Sequence, residues 1–121
     1  MGRKAKGTKG SEDRRPYRQG DVLLVPCDAG MEHGVEVKRD PVRGLVLAVG
    51  EATGHMHHIQ APVDAAALFD ISPDKLDRLL EVRMPVTLYH DEHAPIGIDP
   101  GSYVVRRQRE YTPQGLRTVE D

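Results

Sequence analysis

Short hydrophobic runs, separated by turn-forming residues, recur along the chain from residue 22 onward. Some runs alternate hydrophobic and polar positions, which is typical of a half-buried strand, and others are almost wholly apolar, which is typical of a buried strand. The runs that predict strands are 22–26, 35–39, 44–50, 55–60, 65–71, 86–90, 96–98 and 103–111. Short strands about every ten residues predict a mainly β single domain, either a small barrel or a sandwich.

One segment carries helix signals instead. Ser72 can cap a helix, Pro73 suits the first helical position, and Asp74 adds an acid to the first turn. Leucines follow at helical spacing, so the pattern predicts one short helix over residues 73–80. A strand that begins near Leu79 is the competing interpretation.

The two ends of the chain differ in charge. Residues 1–18 lack apolar periodicity and contain seven Lys or Arg residues against two acidic ones. We interpret residues 1–18 as a disordered basic tail and residues 19–121 as a single β-rich domain, to which the histidines discussed below add metal binding, since 121 residues suit one hydrophobic core. The tail is expected to aid solubility, with an arm for nucleic acid or an acidic partner as the alternative.

Composition excludes several classes of protein. The net charge of −2 argues against a dedicated nucleic-acid binder. The single cysteine, Cys27, excludes an internal disulfide and a thiolate-rich zinc cluster within one chain. No stretch approaches the ~18 apolar residues that cross a bilayer, and the N-terminus has no apolar signal core. We therefore expect a cytoplasmic protein without a membrane partner.

Five of the six histidines lie in two short segments, TGHMHHI and HDEH. On a strand of period two, His55 and His57 share a face with Ile59, and His90 shares a face with Leu88. The apolar residues on both faces indicate that these faces point inward. Three imidazoles aimed at one interior point form the ligand set of a catalytic zinc or mononuclear iron site.

The neighbours of these histidines extend the predicted site. His93 joins the metal ligands if the chain bends after the strand. Glu92 is predicted to be the catalytic base near a metal-bound water, with Asp91 as an alternative ligand or partner of an imidazole. His58 is assigned to the outer face, although a one-residue register shift would exchange it with His57. Solvated loop histidines, or a hydrogen-bonded cluster without metal, are the competing interpretations.

Two resemblances accompany these motifs. The segment GEATGHMH, residues 50–57, resembles part of the first metal motif of cupins, and residues 99–103 resemble the PG-turn strands of such barrels. This partial resemblance implies a double-stranded β-helix that holds iron, manganese, zinc or nickel. The pattern from TGHMHHI through HDEHAPI to PGSYVVRRQREY also resembles a group of small uncharacterised bacterial proteins, across most of residues 19–121.

Together these patterns predict a histidine-ligated metalloenzyme. The metal, with zinc favoured and iron, manganese or nickel as alternatives, would activate water for hydration or hydrolysis of a small-molecule substrate, as in a lyase or hydrolase. A non-catalytic metal-binding or sensing module and an iron-dependent cupin-like oxygenase are the main alternatives. Binding of nucleic acid through the tail and residues 106–109 is a weaker one, and homo-oligomerisation is left open.

Overall fold

The computed structural model describes residues 14–28, 34–50, 53–71 and 77–107, and the backbone of residues 109–112 and 115–118. Within these ranges the chain forms β-strands and no helix. The strands are β1 (Tyr17–Gln19), β2 (Val22–Cys27), β3 (Leu45–Val49), β4 (Met56–Ile59), β5 (Ala66–Asp70), β6 (Arg78–Val82), β7 (Val86–His90), β8 (Ile96–Ile98), β9 (Gly101–Arg107), β10 (Arg109–Thr112) and β11 (Gly115–Thr118). The prediction of a mainly β protein is confirmed.

Nine of the strands form two antiparallel sheets. The larger sheet has the order β1-β2-β9-β6-β5, the smaller has the order β3-β4-β7-β8, and β10 pairs with β11. Side chains from both sheets, among them Leu24 and Tyr103 from the larger and Leu45 and Leu88 from the smaller, share one hydrophobic core. The described strands do not close into a barrel, so the sandwich-like alternative describes the architecture better than the barrel does.

The alternation along β7 shows how the sequence selects the inner face of the smaller sheet. Val86, Leu88 and His90 are buried, whereas Thr87 is half-buried and Tyr89 is exposed. This is the burial pattern that a period-two strand with one face on a core requires. His90, the last residue of β7 on this inward face, is therefore buried beside the core.

The predicted helix over residues 73–80 is wrong where it can be checked. Residues 78–80 belong to β6, a strand that pairs with both β5 and β9, and residues 72–76 lie outside the described residues. Leu79 and Leu80 are both buried, on opposite faces of this internal strand. Leu76, Leu79 and Leu80 are three and four positions apart in the sequence, which is also the spacing of one helix face. The pattern gave no strand signal here, because a strand buried on both faces does not alternate apolar and polar residues.

The predicted strand over residues 35–39 is also wrong as a regular strand. This segment makes one isolated antiparallel bridge, Glu36 to Phe69, formed by two backbone hydrogen bonds to the edge strand β5. Val35 is exposed and only Val37 packs against the core. One anchoring side chain is too little apolar contact to hold a full strand on the edge.

The chain contacts the larger sheet before residue 19. β1 begins at Tyr17, and Arg14 donates a hydrogen bond to the carbonyl oxygen of Cys27 and lies 5.0 Å from the centroid of the Tyr103 ring. Of the predicted tail over residues 1–18, Tyr17 and Arg18 therefore belong to β1 of the larger sheet, Arg14 packs on that sheet, and residues 1–13 are outside the described residues. In the described part of the chain, no helix has the length and apolarity to span a membrane.

Candidate functional site

Four imidazole rings meet on the inner face of the smaller sheet, and we call them the histidine cluster: His55, His57, His90 and His93. His57 lies directly opposite His90 across the β4–β7 pair, with ring centroids 4.3 Å apart. His90 lies 4.5 Å from His93 and 5.5 Å from His55, centroid to centroid. The structure thus brings together the four histidines that the sequence singled out, with His90 at the centre.

A bend after β7 brings His93 into the histidine cluster. Nδ1 of His90 accepts hydrogen bonds from the backbone N–H groups of Glu92 and His93, each 3.0 Å long. These bonds curl the chain back over the ring as an N-cap curls the start of a helix. A residue three positions after His90 would otherwise face the opposite side of the strand.

The ring of His57 is fixed by the turn between β1 and β2. Its Nδ1 lies 2.9 Å from Oε1 of Gln19. The amide nitrogen of Gln19 already donates to the carbonyl oxygens of Leu88 and Ala94, both at 3.0 Å. Oε1 must therefore accept, so Nδ1 of His57 carries a proton and donates it to Gln19.

The other ring nitrogen of His57 faces a buried carboxylate. Nε2 lies 3.3 Å from Oδ1 of Asp21, and the side chains of both residues are 0% exposed. The second carboxylate oxygen, Oδ2, accepts hydrogen bonds from Nε and Nη2 of Arg107, at 3.1 and 2.8 Å. Arg107 supplies the positive charge that a buried aspartate requires, because an unpaired charge in the core would cost several kcal/mol.

The central imidazole, His90, has a different hydrogen-bonding state. Because its Nδ1 accepts from two backbone N–H groups, the neutral ring carries its proton on Nε2. Nε2 is then a hydrogen-bond donor, and it can bind a metal only if Nδ1 takes up a proton and gives up both backbone bonds. The structure therefore supports His90 as a donor at the centre of the cluster.

The two outer histidines have ring nitrogens that the protein does not satisfy. Nδ1 of His55 and Nε2 of His93 are buried atoms and make no hydrogen bond with the residues described here. Oε1 of Glu92 lies 3.7 Å from Nδ1 of His55, beyond hydrogen-bond distance, and the Glu92 side chain is 68% exposed. A buried polar atom without a partner costs about 1–3 kcal/mol, so each of these nitrogens calls for a ligand or an ordered water.

The spacing of the rings fits a shared metal better than their orientations do. Imidazoles that bind one metal at about 2.1 Å place their ring centroids about 5 Å apart. The separations of 4.3, 4.5 and 5.5 Å from His90 to the other three rings bracket that value, whereas His57 and His93 lie 6.4 Å apart. Even so, the described residues include no group of three or more His, Cys, Asp or Glu side chains arranged to hold a metal ion. Metal binding would require rotation of imidazole rings within the cluster.

His58 lies on the other face of β4, as the sequence predicted. Its Nδ1 donates to the carbonyl oxygen of Arg43 at 3.0 Å, and its ring stacks on Tyr89. Asp91 lies nearby and accepts hydrogen bonds from Nη1 of Arg43, at 2.8 Å, and from the backbone N–H of Met56. The bond from Arg43 lowers the pKa of the Asp91 carboxyl. Asp91 is thereby bound to Arg43 and Met56, and of the two carboxylates that the sequence analysis named, Glu92 is the one that lies beside the cluster.

Sequence analysis did not identify Gln19, Asp21 or Arg107 as site residues. Gln19 and Asp21 belong to a QGD segment that also has the composition of an ordinary turn, and Arg107 belongs to a run of arginines that resembles a solvated strand face. The signal was the position of two polar residues at the start of a strongly apolar strand. The side chain of a polar residue at such a position can point either to solvent or into the core, and the sequence alone does not decide between the two.

The fold and the histidine cluster together define a mainly β protein of two antiparallel sheets with buried imidazoles on the inner face of the smaller sheet. The chain belongs to the family described as a domain of unknown function, DUF8820, whose sequence profile matches residues 18–108. This membership agrees with the prediction of a family without an assigned function, whereas the pattern shared with small bacterial proteins and the cupin resemblance stay predictions. Neither a curated protein nor a solved structure matches the chain.

Proposed function

We propose that the histidine cluster binds a divalent transition metal, with zinc preferred, and that the metal activates water for hydration or hydrolysis of a small substrate. The observation that carries this proposal is the pair of buried ring nitrogens, on His55 and His93, that make no hydrogen bond with the described residues. Both belong to the histidine cluster, in which the other three ring centroids lie 4.3 to 5.5 Å from that of His90. Imidazole nitrogen is a preferred ligand of zinc and related metals.

Three of the four imidazoles are suited to ligation. Nδ1 of His55 and Nε2 of His93 make no hydrogen bond with the described residues, so each can present a lone pair to a metal without breaking one. His57 donates from Nδ1 to Gln19, which is the arrangement by which proteins orient an imidazole and leave Nε2 for a metal. We therefore assign His55, His57 and His93 as ligands. His90, as a donor through Nε2, would hydrogen-bond to an oxygen atom held at the site.

Glu92 is the residue we assign to proton transfer. A zinc ion held by the cluster would supply a coordinated water with a lowered pKa. The carboxylate of Glu92 lies beside His55 and is largely exposed, so it can accept a proton at the site and release it to solvent. Its separation from the ring, 3.7 Å, leaves it uncommitted to a strong hydrogen bond.

A non-catalytic metal-binding module is the second candidate, and the presence of a fourth imidazole favours it. If His90 reorients and binds the metal as well, four imidazoles would fill a tetrahedral shell and leave no position for water. The two functions differ in the role of one residue. In the enzyme His90 is a donor, and in the module it is a ligand.

The test is a zinc titration of the full chain by isothermal calorimetry. We expect His55→Ala and His93→Ala each to weaken binding at least about tenfold. His58→Gln is the matched control, because His58 lies on the outer face of the same strand, and its affinity should match that of the wild type. His90→Asn preserves an acceptor for the two backbone N–H groups and should retain zinc in the enzyme, but lose it in the module. Absence of zinc binding by the wild type would refute both.

A further inference from the structure

The carboxylate of Asp21 is unusual for a residue in a turn. Its side chain is 0% exposed, and only one of its two oxygen atoms, Oδ2, is held by Arg107. The other, Oδ1, is buried and accepts no hydrogen bond from the described residues. Protein carboxylates rarely leave a buried oxygen unsatisfied, so this atom calls for an explanation.

The position of Oδ1 relative to the histidine cluster provides one. It lies 3.3 Å from Nε2 of His57, yet the two atoms do not meet the geometry of a hydrogen bond. Two ligands that bind one metal at about 2.0–2.1 Å with a tetrahedral angle lie roughly 3.3 Å apart. The observed distance therefore equals the edge of a tetrahedral metal site. The off-line approach agrees, because two ligands of one metal point at the metal and not at each other.

Two residues at the turn between β1 and β2 lie beside the two ring nitrogens of His57. Gln19 accepts the proton of Nδ1 of His57, and Asp21, two residues later, presents Oδ1 beside Nε2. Gly20, with φ of 58°, adopts the left-handed conformation that a two-residue hairpin turn needs. Arg107 binds Oδ2 from β9 and so leaves a single oxygen directed at the cluster.

We infer that Asp21 is a metal ligand and that the site has a donor set of three imidazole nitrogens and one carboxylate oxygen. The inference rests on the proposed function, because a metal on Nε2 of His57 would lie within bonding distance of Oδ1. With four protein ligands, the water that the proposed function requires would be a fifth ligand of the metal. Arg107 is a positioning residue: it offsets the charge of Asp21 and keeps the carboxylate monodentate. A harder oxygen donor beside the imidazoles extends the site's range from zinc toward cobalt, iron and manganese.

The experiment is a titration of the full chain with cobalt(II), monitored by visible absorption, in wild type, Asp21→Asn and Asp70→Asn. Asn keeps the size of the side chain but removes the anionic donor. Asp70→Asn is the matched control, because Asp70 also pairs with an arginine, Arg78, at 3.0 Å. We expect Asp21→Asn to weaken cobalt binding at least about tenfold and to change the d–d spectrum, while Asp70→Asn leaves both unchanged.

The outcomes separate the two proposals. If the wild type binds neither cobalt nor zinc, the proposed function fails. If the wild type binds cobalt and Asp21→Asn binds it equally tightly with the same spectrum, the metal site stands and Asp21 is not a ligand. In case Asp21→Asn does not fold, X-ray absorption of the zinc-loaded wild type decides the point. Three imidazoles with two oxygen donors, the carboxylate and water, would support the inference, and fewer than two oxygen donors would overturn it.

Discussion

Replacement of Gln19 by leucine tests the buried connection between the two sheets. The Gln19 side chain joins β1 to the smaller sheet through His57 Nδ1 and the carbonyl oxygens of Leu88 and Ala94. Leucine has a similar volume and can fill the site, but it cannot form these hydrogen bonds. The change in the free energy of unfolding therefore reports the loss of the hydrogen bonds and not a loss of packing.

The magnitude follows from the burial of each partner. The bonds to His57 and to Leu88 are buried, whereas the bond to Ala94 is only partly buried, so water can replace that partner. A buried group that loses its partner costs about 1–3 kcal/mol, and burial of the leucine side chain offsets part of two such costs. We expect Gln19→Leu to lower the free energy of unfolding by about 3 kcal/mol and the Tm by about 10 °C.

The assay is urea and thermal denaturation in the presence of a chelator, so that metal binding does not contribute. Gln60→Leu is the matched control, because Gln60 is exposed and donates only to the carbonyl oxygen of Val42. We expect that change to cost less than about 0.5 kcal/mol. If Gln19→Leu were no more destabilising than Gln60→Leu, the buried bridge would not stabilise the fold and the assignment of the His57 proton would lose its support.

Three further changes test other parts of the structure. Arg107→Met should lower the free energy of unfolding by about 3–4 kcal/mol in urea denaturation, because it leaves Asp21 buried without its cation, and a loss below 1 kcal/mol would argue against that pair. Burial raises the pKa of Tyr103 to about 12. Since the unfolded chain ionises first, near pH 10, stability should fall between pH 10 and 12, and Tyr103→Phe should flatten that fall. Gly44 has φ of 82° and a Cβ there would meet the backbone of β4, so Gly44→Ala should cost about 2 kcal/mol or more in the same assay. Gly97, with open space around it, should tolerate alanine.

The sequence pattern located most of the strands, and it indicated which histidines lie together, for the same physical reason. Side chains alternate along a strand, so the apolar residues of β4 and β7 fix which polar residues share their face. His57 and His90 follow Ile59 and Leu88 inward, and His58 points the other way. The prediction failed at β6, because a strand buried on both faces loses the alternation on which the method depends.

The rest of the site depends on contacts that local patterns do not encode. Arg107 and Asp21 lie 86 positions apart in the chain, and Gln19 and His57 lie 38 apart. These pairs form only because β9 lies beside β2 in the larger sheet and because that sheet packs on the smaller one. The tautomers of the imidazoles follow from the same contacts, so the sequence could nominate the four histidines but could not rank them as ligands.

The metal content of the protein tests the central claim most directly. We would purify untagged wild type and the His55→Ala, His93→Ala double variant without chelators or nickel resin, and measure both by inductively coupled plasma mass spectrometry. The account predicts about one zinc per wild-type chain, with iron or cobalt able to replace it, and none in the double variant. A wild type that contains no metal, and whose stability does not rise when zinc is added, would contradict it.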